Sequence, residues 1–126
     1  MNTNIQKTDV KIILAALWSA HFLLWTFGDM AALLQDLSPP IEDNLLLLVA
    51  VPLALIQALM IYFSLTGKAK VMRIVNLIAA LVFILFNVGF MADAHLPWQY
   101  LLGAGYLLVN GLIVWHAWRW PNSPAR

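Results

Sequence analysis

Cysteine is absent from the chain, which excludes disulfides, thiolate nucleophiles and cysteine-held metals. Charge is scarce as well. Asp, Glu, Lys and Arg make up 10% of the 126 residues, against about 25% in an ordinary soluble domain. The basic residues are also missing from particular places: residues 35–43 and 92–97 contain no lysine or arginine. No basic stretch interleaved with aromatics is present, so nucleic acid is not an expected partner. No nucleophile–base pair, phosphate loop or metal triad is visible, which argues against an enzyme. What remains is apolar, with 63% of residues hydrophobic and six tryptophans.

The apolar residues fall in four runs, 12–34, 44–65, 71–91 and 98–118. Each is about 20 residues long, enough to cross a hydrocarbon core of roughly 30 Å at 1.5 Å per residue. Helices this apolar need lipid outside as well as partners inside. The expected fold is all-α: one integral membrane domain, an up-down four-helix bundle with helices near 11–34, 44–66, 70–93 and 98–119 and a flexible tail at 121–126. The first run is longer than a signal-peptide core and is expected to be an uncleaved signal anchor.

The charges orient the helices. Lys7 and Lys11 precede the first, Lys68, Lys70 and Arg73 surround the second connection, and Arg119 and Arg126 follow the fourth. The other two connections carry Asp36, Glu42, Asp43, Asp93 and His95. By the positive-inside rule both termini face the cytoplasm. Ser38-Pro39-Pro40 is expected to stop the first helix, and Gly67 the second. Pro52 is expected to kink the second helix one turn before Gln57. Trp98 and Tyr100 at one boundary, and Trp115, Trp118 and Trp120 at the other, read as interfacial anchors.

Two helix pairs can be laid over each other, the first and third matching less well, by duplication or by the chance likeness of apolar helices. Ile56-Gln57-Ala58-Leu59-Met60-Ile61-Tyr62 lies over Val109-Asn110-Gly111-Leu112-Ile113-Val114-Trp115, and Gly28-Asp29-Met30-Ala31 over Gly89-Phe90-Met91-Ala92. A parallel helical-hairpin duplication predicts a pseudo-twofold axis along the bundle, with the first and third helices in equivalent places.

Functional information resides in the polar residues of the apolar runs, because unpaired polar groups in hydrocarbon are costly. Helical rise places His21, Gln57 and Asn110 at one level, each about 14–17 Å from the nearest basic flank, with Asn87 somewhat farther at about 21 Å. Trp18, His21, Trp25 and Gly28 share a face, as do Asn76, Ala80, Phe83 and Asn87, and Gly103, Tyr106, Asn110 and Trp115. Two readings follow. In the first, His21, Gln57, Asn87, Asn110, Trp25 and Tyr106 are interhelical glue, with Gly103, Ala104, Gly105 and Gly111 allowing close contact. In the second, they form a small-ligand or proton site entered past Asp29, Asp93 and His95. No cofactor is expected, since His21 and His116 differ in depth by roughly 10 Å and cannot share a haem. Asp29, Asp93 and His95 have zinc- or copper-type donors but read as solvated loop residues, so no metal is expected.

Arg73-Ile74-Val75-Asn76-Leu77-Ile78-Ala79 resembles the Arg-x-x-Asn-x-x-Ala motif of small bacterial four-helix membrane proteins classed as a domain of unknown function. Ile113-Val114-Trp115-His116-Ala117-Trp118-Arg119-Trp120 resembles that family's aromatic ending, and Leu17-Trp18 with Gly28-Asp29 resembles its first helix. The resemblance implies a bacterial inner-membrane location and supplies no activity. Small multidrug exporters share the length and helix count, but they use a glutamate in the first helix and a weak charge bias, neither of which is present here. The function expected is a non-enzymatic bundle acting through helix contacts, as a homo-oligomer or an accessory subunit of a larger membrane complex. The alternative is a small-ligand binding or transport protein built around His21.

Overall fold

The computed structural model describes residues 9–37 and 41–120. The tail at 121–126 and the turn at Ser38-Pro39-Pro40 lie outside the described residues, as do Lys7 and Arg126. The described chain is all-helical, with four long helices: α1 (Val10–Leu34), α2 (Asp43–Thr66), α3 (Ala69–Asp93) and α4 (Pro97–Arg119). Each is long and apolar enough to cross a membrane. All four begin one residue before the position read from sequence and end where it places them.

The helix ends are chemically specified. Asp9 caps α1, its carboxylate accepting from the Lys11 backbone N–H at 3.2 Å, which satisfies one of the orphan donors of the first turn. At the other end Asp36 turns left-handed, with φ 57°. The Leu37 N–H then donates to the Ala32 carbonyl at 2.9 Å and the Asp36 N–H to that of Leu33 at 3.1 Å. This is a Schellman closure with aspartate in the position usually given to glycine. The helix therefore stops on its own hydrogen bonds, before Ser38-Pro39-Pro40 is reached.

α2 has the least regular backbone. Residues Leu46–Ala50 form a π-helical turn, and Pro52 follows directly. Proline lacks an N–H for the Leu48 carbonyl and crowds it sterically, so a widened turn absorbs what the sequence reads as a simple kink. α2 ends at Gly67, whose backbone is extended rather than left-handed. Glycine is required there for room: a Cβ would run into the Met72 side chain and the Phe63 carbonyl oxygen. α4 opens on Pro97, where a missing N–H costs nothing. The Gln99 side chain accepts from the backbone N–H groups of Leu96 and His95 at 3.0 and 2.9 Å.

α1 packs between α2 and α4, and α4 between α1 and α3, while the α2–α3 seam is thin. Among the described residues α1 and α3 make no backbone-level contact, nor do α2 and α4. The order around the ring is therefore α1-α2-α3-α4, with diagonal pairs running parallel. The ring has two chemically distinct ends. Lys11, Lys68, Lys70, Arg73 and Arg119 mark a basic end, and Asp36, Glu42, Asp43 and Asp93 an acidic one.

Burial is inverted relative to a soluble bundle. Large apolar side chains point outward, with Leu23 71% and Leu101 78% exposed, while His21, Gln57, Ser64, Asn76, Asn87 and Asn110 are buried. The core between them centres on Trp18, Phe83, Leu14 and Ile113. Trp115 and Trp118 are exposed, and each carries a guanidinium on its ring: Arg119 at 4.9 Å and Arg73 at 5.1 Å. Trp120, grouped with them from sequence, instead packs into the core. Trp115 also leaves the face assigned to Tyr106 and Asn110.

The duplicated pattern holds for one helix pair only. Gln57, Met60 and Ser64 of α2 and Asn110, Ile113 and Ala117 of α4 are all buried in the same register. Gly28 and Gly89 are not equivalent. Gly28 faces Tyr106 and Leu102 so closely that a Cβ would collide, whereas Gly89 is exposed with nothing near it. Of the small residues of α4, Gly103 abuts Met91 and Gly105 approaches Leu24, but Ala104 and Gly111 face outward.

Candidate functional site

Six of the residues read from sequence meet in one place. Trp25 Nε1 donates to Asn87 Oδ1 at 2.8 Å. An indole nitrogen can only donate, so this contact fixes the orientation of the Asn87 amide. Its NH2 group must then face the other way, and it lies 3.1 Å from His21 Nε2 and 2.7 Å from Asn110 Oδ1. His21 Nε2 consequently accepts, and the ring proton sits on Nδ1. That nitrogen donates to Gln57 Oε1 at 2.7 Å. A single indole thus sets the polarity of a network running through all four helices: Trp25 and His21 from α1, Gln57 from α2, Asn87 from α3 and Asn110 from α4.

Two ends of the network are incompletely used. Asn110 spends its oxygen on Asn87, and its buried Nδ2 has no hydrogen-bond partner among the described residues. Gln57 spends its oxygen on His21, and its Nε2 makes one long contact, 3.5 Å, to the Leu53 carbonyl. Among the described residues the second Gln57 N–H has no partner. His21 is enclosed by aromatic rings, with centroids at 5.1 Å (Phe83), 5.5 Å (Trp25), 5.8 Å (Trp18) and 6.1 Å (Tyr106). Tyr106 joins as a wall of the histidine's box, and its hydroxyl donates to the Leu24 carbonyl at 3.4 Å.

A second, smaller layer lies nearer the basic end. Trp18 Nε1 donates to Asn76 Oδ1 at 2.7 Å, and the Asn76 amide reaches the Met72 carbonyl at 2.8 Å and Ser64 Oγ at 3.3 Å. Helical spacing puts Trp18 and Asn76 on shared polar faces without joining them, and Ser64 is not among the residues it singles out. The available signal was Ser64's position two turns after Gln57, on the same side of α2.

Beside the main network is a cleft of about 990 Å³, between α1, the acidic-end half of α2 and Phe86 of α3. Phe22, Trp25, Thr26, Asp29 and Leu33 line its α1 side at spacings of three and four residues, one helix face. Gln57 lies at its inner limit. The cleft exists because α2 buries no residue between 43 and 56, the stretch that contains the π turn and Pro52. A second cavity of about 260 Å³ shares Trp25, Asp29 and Phe86 with the cleft and extends to Asn87 and Tyr106. Asp29 therefore borders both spaces. Asp93 and His95 line neither. Both are exposed, Asp93 at the end of α3 and His95 in the connection to α4.

No group of three or more His, Cys, Asp or Glu side chains among the described residues is arranged to hold a metal. Comparison with protein-family models, with curated proteins and with solved structures gives no match to this chain.

Proposed function

We propose that this is a multi-pass protein of the bacterial inner membrane that binds a small apolar or amphipathic molecule in the cleft between α1 and α2. The location and an orientation with both termini cytoplasmic are supported by four apolar helices and by the segregation of lysine and arginine to one end. The binding role is carried by one observation: a cleft of about 990 Å³, mostly apolar, with a buried glutamine at its inner limit and two carboxylates, Asp29 and Asp36, bordering it. That size and lining match small-molecule sites, which are largely apolar with a few placed polar groups.

The polar network acts as the scaffold of this site. Its members bond to one another within one chain, so they lock the register of four helices and hold Gln57 and Trp25 rigid where they meet the cleft. This joins the two readings of the sequence: the network is glue, and the binding surface is the cleft beside it.

The test is photolabelling of the purified protein in phosphatidylcholine nanodiscs with a diazirine-bearing dodecanol, mapped by mass spectrometry. Label should be enriched on cleft residues such as Phe22, Thr26 and Ala54 over outward-facing Leu23 and Leu108. Ala54→Trp, which fills the cleft, should abolish the enrichment. Uniform labelling of cleft and outer surface refutes the reading, and association between copies through this face would assign it to oligomerisation instead.

A further inference from the structure

The chemistry around the cleft selects a class of occupant. Building on the cleft reading, we infer that its ligand is a single-chain amphiphile with a cationic, ammonium-type head, seated at Asp29 beside the paired rings of Trp25 and Phe86 with its tail along α2.

Three independent features converge on this. The first is charge. Asp29 and Asp36 both line the cleft, and no lysine or arginine does. The described basic residues are Lys11, Lys68, Lys70, Arg73 and Arg119, all at the opposite end of the bundle. Glu42, Asp43 and Asp93 add further negative charge around the acidic end. An anionic head would meet only like charge there, and a phospholipid would set its phosphate against the same carboxylates.

The second is aromatic. Trp25 and Phe86, with ring centroids 6.3 Å apart and nearly perpendicular, line the cleft together with Phe22. Trp25 lies one helical turn from Asp29, so indole and carboxylate share a face. Aromatic faces attract ammonium groups, and desolvation strengthens the attraction. The position of the Trp25 ring is fixed by its hydrogen bond to Asn87, so this part of the site is held before a ligand arrives.

The third is shape. Asp29, Trp25 and Phe86 border both the large cleft and the smaller cavity that reaches Asn87 and Tyr106. A compact head fits at this junction, and the larger, mostly apolar space takes the chain. Gln57, 1% exposed, borders the inner part of the cleft, and among the described residues its Nε2 makes one long contact, to the Leu53 carbonyl, which leaves it able to meet an acceptor such as an ether or carbonyl along the tail.

The experiment compares three photolabels with the same dodecyl chain, bearing trimethylammonium, hydroxyl or sulfate, in phosphatidylcholine nanodiscs. Labelling of the outward-facing Leu23 and Leu108 normalises for partitioning into the bilayer. The ammonium label should be enriched in the cleft roughly tenfold over the sulfate label, with the alcohol between, as a partly exposed charge pair and a cation–π contact together allow. Asp29→Asn should bring the ammonium label down to the level of the alcohol without changing the alcohol, and Asp29→Glu should restore part of the preference. Equal enrichment of all three labels in the native protein leaves the cleft as a site and overturns the cationic ligand. An absence of enrichment for every label overturns both. The ranking in the native protein needs no variant, so a poorly folding Asp29→Asn does not blunt the test.

Discussion

The indole of Trp25 and the amide of Asn87 are joined by a 2.8 Å hydrogen bond across the diagonal of the bundle, between two helices that make no backbone-level contact among the described residues. Trp18 and Asn76 make the same kind of bridge at 2.7 Å, nearer the basic end. A long side chain with a donor at its tip is what this geometry needs, and tryptophan supplies both reach and polarity.

Trp25→Phe keeps most of the ring but removes the donor, leaving Asn87 Oδ1 buried and unpaired. Membrane hydrogen bonds average about 0.6 kcal/mol, with a maximum near 1.7. An orphaned acceptor adds its own penalty of about 1–3 kcal/mol. A loss of about 1–2 kcal/mol is expected in unfolding followed by sodium dodecyl sulfate titration in mixed micelles. The exposed Trp115→Phe should cost under about 0.5 kcal/mol. Equal effects would show that the diagonal bond contributes nothing special.

Asn87 and Asn110 look alike in sequence but not in bonding. Among the described residues Asn87 takes part in three hydrogen bonds, and Asn110 in one while carrying an unpaired donor. Asn87→Leu should therefore be the more destabilising by roughly 1 kcal/mol or more, since Asn110→Leu also removes an unsatisfied group. The same micelle titration of both variants checks the order.

His21→Leu strands Gln57 Oε1 and one Asn87 N–H together. About 2–3 kcal/mol of stability should be lost, while the half-buried His116→Leu changes little. If His21→Leu unfolds at the native midpoint, the network is not what holds the helices in register.

Gly28 and Gly89 give a test with opposite signs. At Gly28 an alanine Cβ would collide with the Tyr106 hydroxyl and Leu102, so Gly28→Ala should destabilise by roughly 1–3 kcal/mol. At Gly89 nothing is nearby, and alanine's better helix propensity should make the change neutral or stabilising by up to about 1 kcal/mol. Unfolding midpoints of the two variants decide it.

Because the chain has no cysteine, single cysteines report its orientation cleanly. His95→Cys should react with a membrane-impermeant maleimide in intact spheroplasts, and Lys68→Cys only after permeabilisation. The reverse pattern would invert the proposed topology.

The helices were legible because each is an unbroken apolar run bounded by proline, glycine or charge, and such runs carry their limits locally. The common level of His21, Gln57 and Asn110 was legible from depth, since helical rise converts sequence distance into height, whereas Asn87, set somewhat farther out by the same measure, was grouped with them by its helix face. Two things were not legible. Which partner each polar group takes depends on the ring order of the helices and on the donor-only indole of Trp25, and neither is encoded within one helix. The cleft was hidden because residues 45–56 of α2 are apolar all round, so no periodicity marks which side is left uncovered. Pro52 was visible, but proline does not announce whether a helix bends or opens into a π turn.

Four rods joined edge to edge form a hinged frame, and such a frame shears unless it has cross-bracing. Here the struts are two indoles, one at mid-height and one toward the basic end, and neither reaches the half of α2 beyond Pro52. Among the described residues that stretch carries no such strut and holds the widened backbone turn instead, so a molecule filling the opening would itself stiffen the frame.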